Sequence, residues 1–234
     1  MPRLAAQEPH ILPLSPRIPM TDFAAARRNM VDGQVRTANV TDLRVVSAML
    51  EVPRERFLPA ASAALAYLDM DVSVGGSRRL MRPLVFAKLI QAAEIEPTDR
   101  VLDVGCATGY SATVLGHIAS EVVALEQDAG LVKTARDSLA SQSNVTVVSG
   151  ALADGWAQGA PYDAVIVEGA SEIVPHALCQ QLKNGGRLVC VLGAGPGAKA
   201  MVYTRSSGDV AGRPVFDAAA TLLPGFAKTP VFAF

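Results

Sequence analysis

Val101-Leu-Asp-Val-Gly-Cys-Ala-Thr-Gly-Tyr110 is the stretch from which the fold is read. Its opening reads as a buried strand carrying one acid, Asp103, near its end. Gly105 and Gly109 then make a glycine-rich turn into a helix. About twenty residues on, the strand-like run Val122-Val-Ala-Leu closes on a second acid, Glu126. A strand, a glycine turn, a helix and a second strand ending in an acid describe a site for a nucleoside cofactor.

Outward from this stretch the rhythm is regular. Strand-like runs lie at 100–104, 121–126, 145–148, 162–167 and 186–192, with helices expected at about 109–119, 128–140 and 175–183. The alternation predicts an α/β fold: a doubly wound, mostly parallel sheet with its ligand at the carboxyl ends of the strands. Runs at 200–205, 213–220 and 229–233 predict an antiparallel C-terminal edge. Upstream, residues 22–36 read as a helix. Thr41 is expected to cap a second helix, with Val45, Val46, Met49 and Leu50 on its apolar face and Pro53 ending it. Asp71–Val74 is extended and leads into Gly75-Gly76, and Pro83 opens a helix over 83–93. Three regions follow: 1–20, a Pro-rich disordered tail; 21–82, an N-terminal helical region on the substrate side; and 83–234, the cofactor-binding α/β domain. Met20 stands just before a good helix start and is read as a candidate initiator.

Composition narrows the function. The 234 residues are 50% hydrophobic and 5% aromatic, so the core is expected to be Ala, Val and Leu packing. A formal net charge of −1 gives no general attraction to nucleic acid or to an anionic membrane. Cys106, Cys179 and Cys190 fit no metal-ligand or CxxC spacing, so no metal is expected, and their apolar neighbours read as reduced thiols of a cytoplasmic protein. No apolar run reaches the roughly 18–20 residues that span a bilayer, and residues 1–20 lack the apolar core of a signal peptide.

The glycine spacing chooses the cofactor. A dinucleotide site wants G-x-G-x-x-G, yet position 107 is Ala. Acidic-x-G-x-x-x-G instead resembles the first motif of class I S-adenosyl-L-methionine (AdoMet) methyltransferases. In that setting Asp103 attracts the ammonium or sulfonium side of the cofactor, Gly105 and Gly109 let the backbone turn and approach, and Glu126 accepts the ribose hydroxyls. Cys106, Ala107 and Tyr110 in the loop, and Ala151 and Leu152 after the third strand of the series, complete the candidate cofactor set. A lone GxxxG is most often helix packing, but here strand context and both acids accompany it.

The resemblance extends further. Asn29-Met-Val-Asp-Gly-Gln-Val-Arg36, Val52-Pro-Arg-Glu-Arg-Phe-Leu-Pro59, Ala66-Tyr67, Pro161-Tyr-Asp-Ala-Val-Ile-Val167 and Gln181-Leu-Lys-Asn-Gly-Gly-Arg-Leu-Val189 resemble, in this order, the protein-L-isoaspartate O-methyltransferase family. The resemblance implies AdoMet as methyl donor and, as partner, a damaged protein or peptide whose L-isoaspartyl carboxylate is methylated. Such a carboxylate is ionised at pH 7 and is itself the nucleophile, so no catalytic base is required. His10, His117 and His176 form no catalytic constellation, and the last two read as helix-surface residues.

Two segments depart from the family pattern. The family carries Gly-Gln-Thr-Ile-Ser-x-Pro, with its serine at the cofactor–substrate junction; aligned on Pro83 this chain has Ser77-Arg-Arg-Leu-Met-Arg-Pro83, which places Met81 at the serine. Where the family has Gly-Asp-Gly, with an acid on the adenine, this chain has Ala151, with Asp154 displaced. That loses one hydrogen bond of roughly 0.5–1.5 kcal/mol. Arg78, Arg79 and Arg82 are candidates for an acceptor carboxylate, or else a solvated basic turn. Glu168, where a small or neutral residue is usual, would repel an anionic acceptor unless an arginine pairs with it, and would suit an amine or hydroxyl. The chain therefore reads as a family member divergent at its acceptor site. Its rivals are a methyltransferase of the same fold acting on another acceptor, and a catalytically silent AdoMet-binding or interaction protein.

Overall fold

Helices α1 (Phe23–Met30) and α2 (Leu43–Glu51) precede an antiparallel hairpin of β1 (Val72–Gly75) and β2 (Arg78–Leu80), then α3 (Pro83–Ala92). The regular series follows as β3 (Arg100–Val104), α4 (Tyr110–Gly116), β4 (Glu121–Glu126), α5 (Ala129–Leu139), β5 (Val145–Ser149), β6 (Tyr162–Ser171), α6 (His176–Cys179) and β7 (Leu182–Leu192). Strands β8 (Lys199–Ser206) and β9 (Asp209–Asp217) end it. This computed structural model describes residues 22–229; the expectations for tail 1–20, for Met20 and for nearly all of 229–233 lie outside the described residues.

The seven-stranded sheet has the order β5-β4-β3-β6-β7-β8-β9. Pairs from β5 to β7 are parallel, while β7–β8 and β8–β9 are antiparallel, as the strand–helix rhythm predicts. Alternate residues serve opposite faces. Val101, Val122, Ala124, Ala164 and Ile166 meet Met30, Met49, Phe86, Ile90 and Leu115, so the N-terminal helices and the sheet share one apolar core. Leu102, Val104, Val123, Leu125, Val165 and Val167 meet Leu152, Leu178 and Leu223 on the other face. Each such fully buried aliphatic side chain contributes about 1.5–3 kcal/mol.

Local chemistry shifts several boundaries. The cap of α2 is Asp42, whose carboxylate accepts Arg44 N–H at 2.8 Å; Thr41 instead donates its N–H to Gln91 Oε1 at 2.6 Å. The helix expected over 175–183 is only α6, because Leu182 already pairs with Tyr162 and starts β7. Strand β6 runs on to Ser171 through a register slip between Ile166 and Ala170. The run expected at 213–220 is displaced toward the hairpin turn, as β9.

From β3 the chain winds outward through β4 and β5, then returns to the other side of β3 as β6. The carboxyl ends of β3 and β6 therefore flank the topological switch point, where a doubly wound sheet opens a ligand crevice. The segment after β9 folds back over this end. Ala170 N–H donates to Thr221 O at 2.8 Å, and Leu223 N–H to Ala170 O at 3.0 Å. A Cβ on Gly169 would meet Leu223 Cγ at 2.6 Å and the Thr221 carbonyl at 2.7 Å. Gly169→Ala is therefore expected to cost about 1–3 kcal/mol through overpacking, read as a lower urea midpoint at unchanged slope.

Candidate active site

The glycine loop is shaped by its dihedrals. Gly105 (φ 85°) and Gly109 (φ 100°) adopt left-handed conformations that favour glycine, and Ala107 is held at φ 50° between them. Gly109 opens α4, and a Cβ there would press on Leu139 Cδ1 at 3.0 Å.

Glu126 fastens the loop. Its Oε2 accepts Ala107 N–H at 3.0 Å, and its Oε1 accepts the N–H groups of Gln127 (2.9 Å) and Asp128 (3.2 Å). Arg78 supplies the remaining donors: Nη2 reaches Oε2 at 3.0 Å and Nε at 3.3 Å, while Nη2 also donates to Gly105 O at 2.8 Å. Both side chains are buried in this ion pair. Arg78 thus lies on the cofactor side of the crevice, over Gly105, and does not join its neighbours. Arg79 is exposed, and Arg82 turns to Asp71, with its N–H on Oδ1 at 2.9 Å and its Nε at 3.6 Å.

Asp103 is fully buried. Its Oδ2 accepts Ser111 Oγ–H at 2.6 Å, and its Oδ1 has no partner. Burial, helped by the charge of Glu126, pushes its carboxyl up to about 7 against the pull of Ser111 and Arg78. Glu168 sits in the β6 register slip, also buried and with Oε1 unpartnered. Burial and the charge of Asp103 hold it well above the usual carboxylate range, although Arg54 and Arg78 pull the other way.

Arg54, Ser111 and Leu223 are site residues that sequence reasoning missed. Arg54 is fully buried, donating from Nε to Ala66 O at 2.8 Å and from Nη2 to Met81 O at 2.6 Å. Its guanidinium lies 4.7 Å from the Tyr110 ring centre, and Nη1 and the Tyr110 hydroxyl are both unpartnered. Phe57 and Phe86 wedge the same ring from 5.6 and 5.5 Å. Only the position of Ser111, in the first turn after the glycine loop, offered a signal: a hydroxyl there faces the preceding strand end.

The other candidates divide. Cys106 is buried, its thiol held well above the ordinary range by burial. Met81 is buried at the end of the hairpin, its carbonyl held by Arg54. Leu152 lies wholly in the core, so only its backbone can face a ligand, while Ala151 and Asp154 are exposed. His117 and His176 lie outside the crevice; His117 is partly exposed beside Glu51, and His176 is exposed. No group of metal-ligating side chains occurs among the described residues, and no helix there is long and apolar enough to cross a membrane.

Comparisons with known proteins bear on the family and the fold. A sequence model of the protein-L-isoaspartate(D-aspartate) O-methyltransferase family matches residues 25–218. Protein-L-isoaspartate O-methyltransferase 1 of Rhodopseudomonas palustris (strain HaA2) is 40% identical over 192 residues, covering 81% of this chain and 78% of its own. The protein-L-isoaspartate O-methyltransferase of Pelotomaculum thermopropionicum is 40% identical over 172 residues, 73% of this chain and 75% of its own. A solved protein-L-isoaspartate O-methyltransferase superposes with a TM-score of 0.73 at 23% identity, over 85% of this chain and 66% of that one. A Plasmodium falciparum structure assigned to the same activity, in complex with S-adenosyl-L-homocysteine, gives 0.72 at 17% identity, over 84% and 97%. At those identities the two structures speak for the fold; the sequence matches decide the family. The chain belongs to the protein-L-isoaspartate(D-aspartate) O-methyltransferase family.

Proposed function

We propose that the chain is an AdoMet-dependent methyltransferase that esterifies the side-chain carboxylate of L-isoaspartyl residues in damaged proteins. The unpartnered Oδ1 of Asp103, buried at the Gly105–Gly109 turn by the switch point, carries the cofactor half of this reading, and membership of the family supports the acceptor half. A buried acceptor without a donor is costly unless a ligand supplies one. The residue set fits AdoMet: Asp103 for its cationic end, Gly105 and Gly109 for close backbone approach, and Glu126 for the ribose diol. Cys106, Ala107, Tyr110, Ala151 and Leu152 border it, and the region 21–82 is read as the substrate side, from which Arg78 reaches across to the glycine loop. Buried, unpaired Cys106, Cys179 and Cys190 suit a cytoplasmic setting.

When bound, AdoMet supplies a methyl group on a positively charged sulfur, which a carboxylate oxygen takes with its own electron pair, leaving a neutral thioether and a methyl ester. The chain has no proton to move in this step. Its residues exclude water, orient the acceptor and fix the electrostatics. Arg54, locked on Ala66 O and Met81 O, holds the hairpin end at the crevice. A second reading, an amine or hydroxyl acceptor, draws on Glu168, whose unpartnered oxygen could receive a donor.

Incubation with an isoaspartyl peptide and labelled AdoMet is expected to release base-labile methyl ester. If an amine or hydroxyl peptide is labelled instead, the second reading replaces the first. Asp103→Asn is expected to weaken S-adenosylhomocysteine binding by about 1.5–3 kcal/mol, tenfold or more, in calorimetry.

The same variant has a pH signature. Folded Asp103 keeps its proton up to about 7, while the unfolded chain loses it near 3.8. Between those values the folded state binds more protons, so this group's contribution to stability falls as pH rises. Glu168 acts in the same direction. Asp103→Asn should therefore melt progressively higher relative to wild type as pH rises from about 4 to about 7, with the difference levelling off above that. A melting difference independent of pH would sink the assignment of a buried, late-ionising Asp103.

A further inference from the structure

Arg78 does more than close a salt bridge. Its guanidinium covers the backbone a cofactor must approach: a Cβ on Gly105 would lie 2.7 Å from Nη2. It also takes up the carboxylate assigned to the ribose, since Glu126 bonds Arg78 and three backbone N–H groups. A ribose bonded to Glu126 would have to compete with Arg78 for the same carboxylate.

The segment that delivers Arg78 is anchored in the core by Val72, Val74 and Leu80 but has room at its turn. It is a short hairpin whose register slips between Ser73 and Gly75, with Gly75 (φ 129°) and Gly76 (φ 53°) at its turn. Nothing lies within 4 Å of a Cβ built on either glycine, and Arg79 beside it is exposed. The other buried guanidinium, Arg54, is tied to two carbonyls and stacked on Tyr110, and Arg82 is engaged by Asp71. Around the crevice stand three buried acidic side chains, Asp103, Glu126 and Glu168, none of which can pair with an anion. An anionic acceptor entering there needs a cation, and among the described residues Arg78 is the one at the crevice that a ligand can set free.

We propose that Arg78 is an exchangeable cation: paired with Glu126 it stoppers the cofactor crevice, and, displaced by the cofactor's ribose, it becomes the positioning residue for the acceptor carboxylate. This rests on the methyltransferase reading above and adds an order of binding, cofactor before acceptor. The ribose hydroxyls take over the Glu126 bonds, and the substrate carboxylate replaces Glu126 as partner of the guanidinium.

Calorimetry with S-adenosylhomocysteine on wild type, Arg78→Gln and Arg78→Met, with isoaspartyl-peptide kinetics on each, tests it. Removing the stopper is expected to tighten S-adenosylhomocysteine binding about tenfold, because the competent form no longer competes with the closed one. The peptide KM should rise about tenfold or more with a smaller change in kcat, and Arg78→Lys should recover part of the loss. A merely structural arginine would weaken cofactor binding when lost. In wild type, S-adenosylhomocysteine should speed hydrogen exchange at residues 72–80, a readout that needs no variant to fold. If wild type binds but the variants bind equally or more weakly, the exchange is refuted while the methyltransferase reading stands. Tighter binding with an unchanged peptide KM also refutes it. If neither wild type nor variants bind, the methyltransferase reading falls and takes the proposal with it.

Discussion

The carboxylate of Glu126 is the interaction on which the crevice depends. One side chain at the end of β4 gathers the N–H groups of Ala107, Gln127 and Asp128 together with the guanidinium of Arg78. The left-handed conformation of Ala107 costs roughly 1–2 kcal/mol in a non-glycine residue, and the Glu126 bond to its N–H offsets that strain. Because Ala124 and Leu125 pair with Asp103 and Val104, the carboxylate also ties the loop to the register of the sheet. The loop is therefore an extension of strand pairing and not an independent turn.

Buried ionisable groups set the character of this place. Asp103, Glu168 and Arg54 each leave one polar atom unsatisfied within a few elements of one another. Interiors rarely tolerate such clusters, and functional sites are where they are found. The aromatic wedge of Phe57, Phe86 and Tyr110 makes the surroundings rigid and apolar, which strengthens every charge inside it.

Legibility in the sequence followed the range of the forces involved. Val101–Tyr110 and Val122–Glu126 were readable because strand, turn and acid are local patterns, and the parallel sheet followed from their alternation. The choice of Asp42 over Thr41 as cap turned on one residue, a resolution that sequence patterns lack. The long helix expected near 175–183 failed because pairing with Tyr162 claimed Leu182 for the sheet. The placement of Arg78 could not be read at all: in a hairpin, one residue of register decides whether an arginine faces solvent or the crevice, and Arg79 next to it took the other side. Arg54 was hidden for a similar reason, since a lone arginine in a turn is ordinarily solvated.

The far edge of the sheet is built against pairing with another chain. Strand β9 carries Pro214, which has no N–H to offer, beside a slip in register opposite Ala200 and Met201, and it is studded with Asp209, Arg213 and Asp217. Such an edge is a poor template for another strand. An open sheet border is otherwise free to pair with any extended backbone it meets. This border denies such a backbone an anchorage and so works against edge-to-edge association.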